Sequence, residues 1–162
     1  MAVLNYFDDN ATNVGTKTEP GSNAHEVIRY IGKIVVASGD TDASTYLVAK
    51  AVPASFRPVQ CTIMTDAITS GTDYDLGFYD SVTGTVVDKD ILMDGQTMAS
   101  ASRTLDGLSN VAIEDIGARK TIYELLGLTA TTTKATYDLV LTANTVGSAD
   151  GDIVVIFTGF AA

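Results

Sequence analysis

Cysteine occurs once, at Cys61, and histidine once, at His25, in 162 residues. A lone cysteine cannot close an internal disulfide, and one imidazole cannot build a His-based zinc site. Ser-His-Asp and Cys-His catalysis need a base beside the nucleophile, but His25 falls in a polar stretch ahead of the first apolar run. Cys61 sits mid-strand on an alternating apolar face, where a free thiol behaves as a small buried hydrophobe. Tryptophan is absent, so stacking on sugar rings would rest on tyrosine and phenylalanine alone. Basic residues are few: ten Lys and Arg stand against twenty Asp and Glu, for a formal charge of −10 and a pI near 4.2. That balance argues against nucleic acid or an anionic membrane surface as partner, because both require clustered cations. No apolar run approaches the roughly twenty residues of a membrane span. The start, Met1-Ala-Val-Leu-Asn-Tyr-Phe-Asp-Asp9, has neither a basic n-region nor an apolar h-region, so no secretory signal is expected. No G-x-S-x-G elbow, Gly-Lys-Ser/Thr phosphate loop or G-x-G-x-x-G is present. The expectation is a soluble acidic protein made in a reducing cytoplasm, without enzymatic activity, cofactor or required metal.

What is abundant points to β-structure. Hydrophobic residues reach 46% while only 19% are charged, and the polar remainder is mainly Thr, Ser, Asn and Gly. Threonine suits a pleated surface, and Gly, Asn and Asp supply turns. Glutamate, a helix former, appears at four positions only: Glu19, Glu26, Glu114 and Glu124.

Two regions separate along the chain. Residues 1–26 are Asp, Asn, Thr, Gly, Lys and Glu around two apolar pairs, Val3-Leu4 and Tyr6-Phe7, with Pro20-Gly21 as a breaker. They read either as a solvated tail or as an extended arm that docks on another chain. Fully extended, such an arm reaches roughly 80 Å. From residue 27 short strands alternate with turn signals. Strands are expected over 27–37, 45–52, 59–65, 73–80, 85–87, 136–145 and 152–160. Over 45–52, Tyr46, Val48 and Lys50 alternate with Leu47, Ala49 and Ala51. Over 73–80, Tyr74, Leu76 and Phe78 share one face. Pro53 and Pro58 bracket a loop that exposes Phe56, and residues 88–108 show little pattern. One helix is expected within 111–126, capped by Asn110 and closed by Gly127, with Gly117 as its weak point. The last strand is apolar on both faces, Ile153, Val155 and Phe157 against Val154, Ile156 and Phe160. It is therefore central in a sandwich or covered by another subunit. The fold class is mainly β: a β-sandwich of jelly-roll type with one short helix, carried on residues 27–162 behind the arm.

Sixteen aspartates invite a search for a carboxylate pair or a cation site. Asp73 with Asp75, and Asp88 with Asp90, share strand faces, as glycoside hydrolysis would need. Asp40-Thr41-Asp42 and Asp150-Gly151-Asp152 offer hard oxygens, without the spacing of an EF-hand. Most aspartates adjoin Gly, Ser or Thr, the setting in which Asp caps its own backbone.

The segments Gly71-Thr-Asp-Tyr-Asp-Leu-Gly-Phe-Tyr-Asp80, Ile122-Tyr-Glu-Leu-Leu-Gly-Leu128 and Thr136-Tyr-Asp-Leu-Val-Leu-Thr-Ala-Asn-Thr145, followed by a Gly-Asp turn and a closing strand, resemble the head decoration, or cement, proteins of tailed bacteriophages. The likeness spans residues 27–160 and rests on the order and character of segments. It implies a jelly-roll-like subunit, a dimer or trimer, on the exterior of a phage capsid. There it would bind the major capsid protein and bridge capsomers. The residues assigned to such an interface are Val3, Leu4, Tyr6 and Phe7 in the arm, with Phe56 and Phe160 on the body. A glycan-binding or host-recognition module on the virion or tail is the alternative.

Overall fold

Runs rich in Val, Ile, Leu and Thr, cut by Gly-, Ser- and Asp-containing turns, form eight strands in the computed structural model, which describes residues 27–129 and 134–160. They are β1 (Val27–Val36), β2 (Ser44–Pro53), β3 (Arg57–Thr65), β4 (Asp73–Asp80), β5 (Val86–Gln96), β6 (Ser102–Asp106), β7 (Thr136–Thr145) and β8 (Gly151–Phe160). The expected arm over residues 1–26, with Val3, Leu4, Tyr6, Phe7 and His25, lies outside the described residues. Two four-stranded antiparallel sheets result, ordered β1-β8-β3-β6 and β2-β7-β4-β5. Each strand of the first half pairs with its mirror in the second: β1 with β8, β2 with β7, β3 with β6 and β4 with β5. The chain is thus doubled about the β4–β5 turn. Pairings β3–β8 and β4–β7 then join the doubled ribbon into two layers.

The inward faces make a β-sandwich core. Ile34, Val36, Cys61, Ile63, Ile153, Val155 and Phe157 of one sheet meet Tyr74, Leu76, Phe78, Leu139, Leu141 and Ala143 of the other. Phe157 is the aromatic hub, its centroid 5.1 Å from Phe56 and 6.4 Å from Phe78. Tyr74 satisfies its buried hydroxyl by donating to the Val146 carbonyl at 2.7 Å.

Four expectations change. Phe56 is fully buried, wedged between Tyr30 and Phe157, so it is a core residue and not an exposed anchor. The prolines mark a tight turn whose apolar member folds inward. In β2 the alternation breaks, because the register shifts twice and Val48 and Ala49 are both buried. Ala51 there has φ of 54°, and its N–H donates to Asp138 at 2.8 Å. Residues 88–108 hold most of β5 and all of β6. Finally, the single helix is two, α1 (Ile113–Gly117) and α2 (Ile122–Leu125). Arg119, at φ of 53°, separates them, and Thr121 opens α2 with a capping box to Glu124. The first N–H groups of α2 donate to the β2–β3 turn, Ile122 to Phe56 O and Tyr123 to Ala54 O. Asn110 caps no helix; its side-chain amide donates to Asp90 O. Gly127 closes α2 with φ of 66°, as its position predicts.

Candidate functional site

The aspartates are engaged where the turns need them. Asp40 accepts from the Ala37 N–H and the Tyr46 hydroxyl, Asp42 from the Val146 N–H, and Asp150 from the Ser38 N–H. Asp152 pairs with Lys33 at 2.8 Å. Neither candidate calcium loop therefore brings its carboxylates together around a free centre. Asp80 accepts from the Val82 and Thr83 N–H groups and faces Lys134 at 3.2 Å, and these donors hold its carboxyl down at about 2.

The strand-face pairs sit on the outer side of β4 and β5. Burial pushes the Asp75 carboxyl up. The Gly95 N–H, the Asn144 amide at 2.6 Å and Lys89 at 2.9 Å together outweigh it and hold the group ionised. Asp73 reaches the same network through the Asn144 amide at 3.0 Å. Burial and the neighbouring Asp90 push Asp88 the other way, upward. One oxygen from each of Asp75, Asp90 and Asp94 lies within 4.8 Å of the others, yet Lys89 already supplies the positive charge there. Asp75 is thus locked as a structural anion, with none of the proton traffic a glycosidase acid requires. Cys61 is likewise inert: burial, then the charge of Asp106, push its thiol up to about 12.

What is left open is the outer side of the β1-β8-β3-β6 sheet. Cross-strand register aligns Ile31 with Ile156 and Thr62, Lys33 with Val154 and Met64, and Val27 with Phe160 and Arg57. Ile31 and Val35 are each 63% exposed, while Val154, Ile156, Met64 and Phe160 are half-buried. The large exposed hydrophobics among the described residues, which also include Leu47, Val82, Val86, Val87 and Ile113, are all aliphatic.

By sequence, the chain matches no family model and no curated protein. By fold, it is similar to a chain of the cyanophage Pam1 capsid asymmetric unit, with a TM-score of 0.52. That superposition covers 85% of this chain and 86% of the other, at 18% identity. At such identity the likeness is one of fold. It extends over nearly the whole of both chains, so it concerns the complete sandwich and not a shared hairpin.

Of the body residues assigned to an interface, only Phe160 remains at the surface, at the end of β8, where Arg119 lies 5.1 Å from its ring centroid. With Arg57 and Ala118 these residues line a half-open pocket of about 280 Å³. The open face of β1 and the two arginines were missed in the sequence. The signal for the first was present: V-I-R-Y-I-G-K-I-V-V is apolar at positions of both parities, as β8 is. The arginines carry no such signal, since Arg57 and Arg119 are 62 residues apart.

Proposed function

We propose that this protein is a non-enzymatic structural component of a phage virion that binds the capsid exterior and stabilises it by bridging neighbouring capsomers. The observation that carries this reading is the end-to-end fold similarity to a chain of a capsid asymmetric unit. The strand orders 1-8-3-6 and 2-7-4-5 support it as those of a jelly roll, a fold of viral capsid domains. The open aliphatic face of β1 and β8 supplies apolar contact area, and Val3, Leu4, Tyr6 and Phe7 would extend it onto the major capsid protein. A clamp bound across a capsomer seam stabilises the closed lattice by its differential affinity for that state, multiplied over many copies. A net charge of −10, with Lys33, Lys89, Lys120 and Lys134 each paired to an aspartate, gives little footing for nucleic acid.

The test is the copy number and position of the protein on purified virions, by quantitative mass spectrometry and gold-labelled antibody. Hundreds of copies over the head are expected. A few copies at the tail would instead favour a host-recognition module, and none would remove the virion reading.

A further inference from the structure

On the outer side of the β2-β7-β4-β5 sheet two strand irregularities converge on one buried carboxylate. The register of β7 with β4 slips between Asp73↔Thr145 and Tyr74↔Ala143, and Asn144 is the extra residue there. The register of β5 with β4 slips between Leu76↔Met93 and Phe78↔Asp88, and Lys89 falls within that excursion. On β4, the strand between them, stands Asp75, 1% exposed. A single oxygen, Asp75 Oδ2, accepts from Lys89 Nζ at 2.9 Å and from Asn144 Nδ2 at 2.6 Å. Lys89 Nζ also donates to Asn144 Oδ1 at 2.8 Å, which closes a ring of three side chains. The Gly95 N–H fixes the other oxygen of Asp75, and Asp73 accepts from the Asn144 amide at 3.0 Å. Both partners of the amine are thus held in place.

An ion pair needs no amide. An amine, a primary amide and a carboxylate in mutual contact are the reactants and the proton carrier of an amide exchange. We propose that Lys89 and Asn144 join in an intramolecular isopeptide bond, with Asp75 as the base. Asp75 Oδ2 takes one proton from the Lys89 ammonium, and Nζ attacks Asn144 Cγ. The Cγ–Nδ2 bond breaks as Asp75 passes that proton to Nδ2, and a second Nζ proton leaves with the departing nitrogen. Ammonium and primary amide become a secondary amide and one ammonium ion. Asp75 ends as the carboxylate it began as, and nothing is oxidised or reduced. Holding the two reactants together supplies an effective molarity of about 10⁵ M or more once the attack geometry is reached. The Lys89 side chain is 41% exposed, so the ammonium ion has a way out. The bond pins the β5 excursion to β7 across β4, between residues 55 apart in the chain. It concerns this chain alone and stands apart from the capsid reading.

The test is the intact mass of the purified full-length protein, denatured for measurement and followed over days. We expect a species lighter by one ammonia, whose tryptic digest contains the Lys89 and Asn144 segments as one linked peptide. Lys89→Arg keeps a cation beside Asp75 but removes the nucleophile, so its mass should stay full. A native chain that keeps its full mass overturns the proposal, whether or not the variant folds. So does an ammonia loss that persists in Lys89→Arg. Loss of one water instead would mean that Lys89 had joined Asp75, and would overturn Asn144 as the acyl partner. The pH profile of the conversion tests the base. Asp75 titrates below its ordinary value, and Lys89 above its own through the hydrogen bond to Asp75 and the charges of Asp90 and Asp73; Asp94 also adjoins the cluster. The pair is therefore ionised at rest, and proton transfer within it makes the rate flat from about pH 6 to about pH 9. A rate that climbs about tenfold per pH unit would mean that solvent takes the proton, and would overturn the role of Asp75.

Discussion

The outer faces of the two sheets are finished in different ways. On the β2-β7-β4-β5 sheet the outer side is closed by the chain itself. Between Leu76↔Met93 and Phe78↔Asp88 the register of β5 slips, and the intervening residues fold across β4 at Gly77. A Cβ on Gly77 would run into the Asp88 and Lys89 backbone. Beneath this cover lie Asp75, Tyr79, Val140 and Thr142, all buried yet facing away from the sandwich core. Their polar groups are answered internally, Asp75 by Lys89 and Asn144, and Tyr79 by Thr142 at 2.8 Å. On the β1-β8-β3-β6 sheet nothing comparable is built among the described residues. Its outer side sets the aliphatic side chains of β1 and β8 beside Arg29, Thr62 and Thr158, with a surface ion pair Lys33–Asp152 and another, Arg103–Asp66, at the β6 edge. Desolvated polar groups cost free energy unless each finds a partner, so a covered face must be designed as a network. An aliphatic face needs no such network, and in a capsid-bound subunit it would be covered on assembly.

The largest effect is expected where the cover touches the sheet. Gly77→Val should force the residues after Asp88 off β4, costing about 3 kcal/mol by overpacking. Urea unfolding would show this as a lower midpoint. A midpoint equal to that of the native protein would mean that the β5 excursion does not seal this face.

Next comes the network beneath. Asp75→Asn leaves Lys89 without its anion and weakens the acceptor for the Gly95 N–H, a loss of about 2 kcal/mol, held to that by the partial exposure of Lys89. The acid limb follows from the same groups. Asp75 and Asp80 both titrate below their ordinary values, so the unfolded chain takes up protons first as pH falls. Their stabilisation is therefore complete above the unfolded carboxyl range near about 4, and is lost as pH descends through the depressed folded values toward about 2. Melting temperature followed from pH 6 downward should fall in that window, with a shallower slope in Asp75→Asn. Identical slopes would show that Asp75 is not held ionised by the fold.

How much of this was legible in the sequence depends on what closed each face. Strands β4, β7 and β8 pack their inward faces by simple alternation, and Tyr74, Leu76, Phe78, Ile153, Val155 and Phe157 sit in the core where their parity puts them. Strand β5 was read only at its start, over 85–87, because its excursion beyond Val87 destroys the period-two pattern that identifies a strand. Phe56 misled for a related reason. Turn residues around an aromatic suggest exposure, whereas the ring here caps the end of the sandwich against Tyr30 and Phe157. The break at Arg119 was also hidden, since a non-glycine residue at positive φ leaves no mark in composition. Asp40, Asp80 and Asp106 cap their own turns as read, because that role depends on neighbours within three residues, whereas Asp42, Asp66, Asp138 and Asp150 accept N–H groups from remote segments that the sequence does not bring together.

The smallest expected change in stability is the most informative about function. Ile31 and Val35 are each 63% exposed on β1, so replacing both by Thr removes little buried area and keeps a β-branched side chain at each strand position. Stability should shift by no more than about 0.5 kcal/mol per site. If the open face docks on capsid, each aliphatic side chain is desolvated there, and its loss costs about 1 kcal/mol of binding. The double variant should then bind purified capsids about tenfold or more weakly, with an unchanged melting temperature. Tyr79→Phe, on the covered face, serves as the counterpart: it loses the bond to Thr142 and some stability, but bears no partner surface. Weaker capsid binding by the Ile31/Val35 variant alone would tie function to the open sheet. Equal binding by both variants and the native protein would move the contact away from this face, onto the arm or another edge of the body.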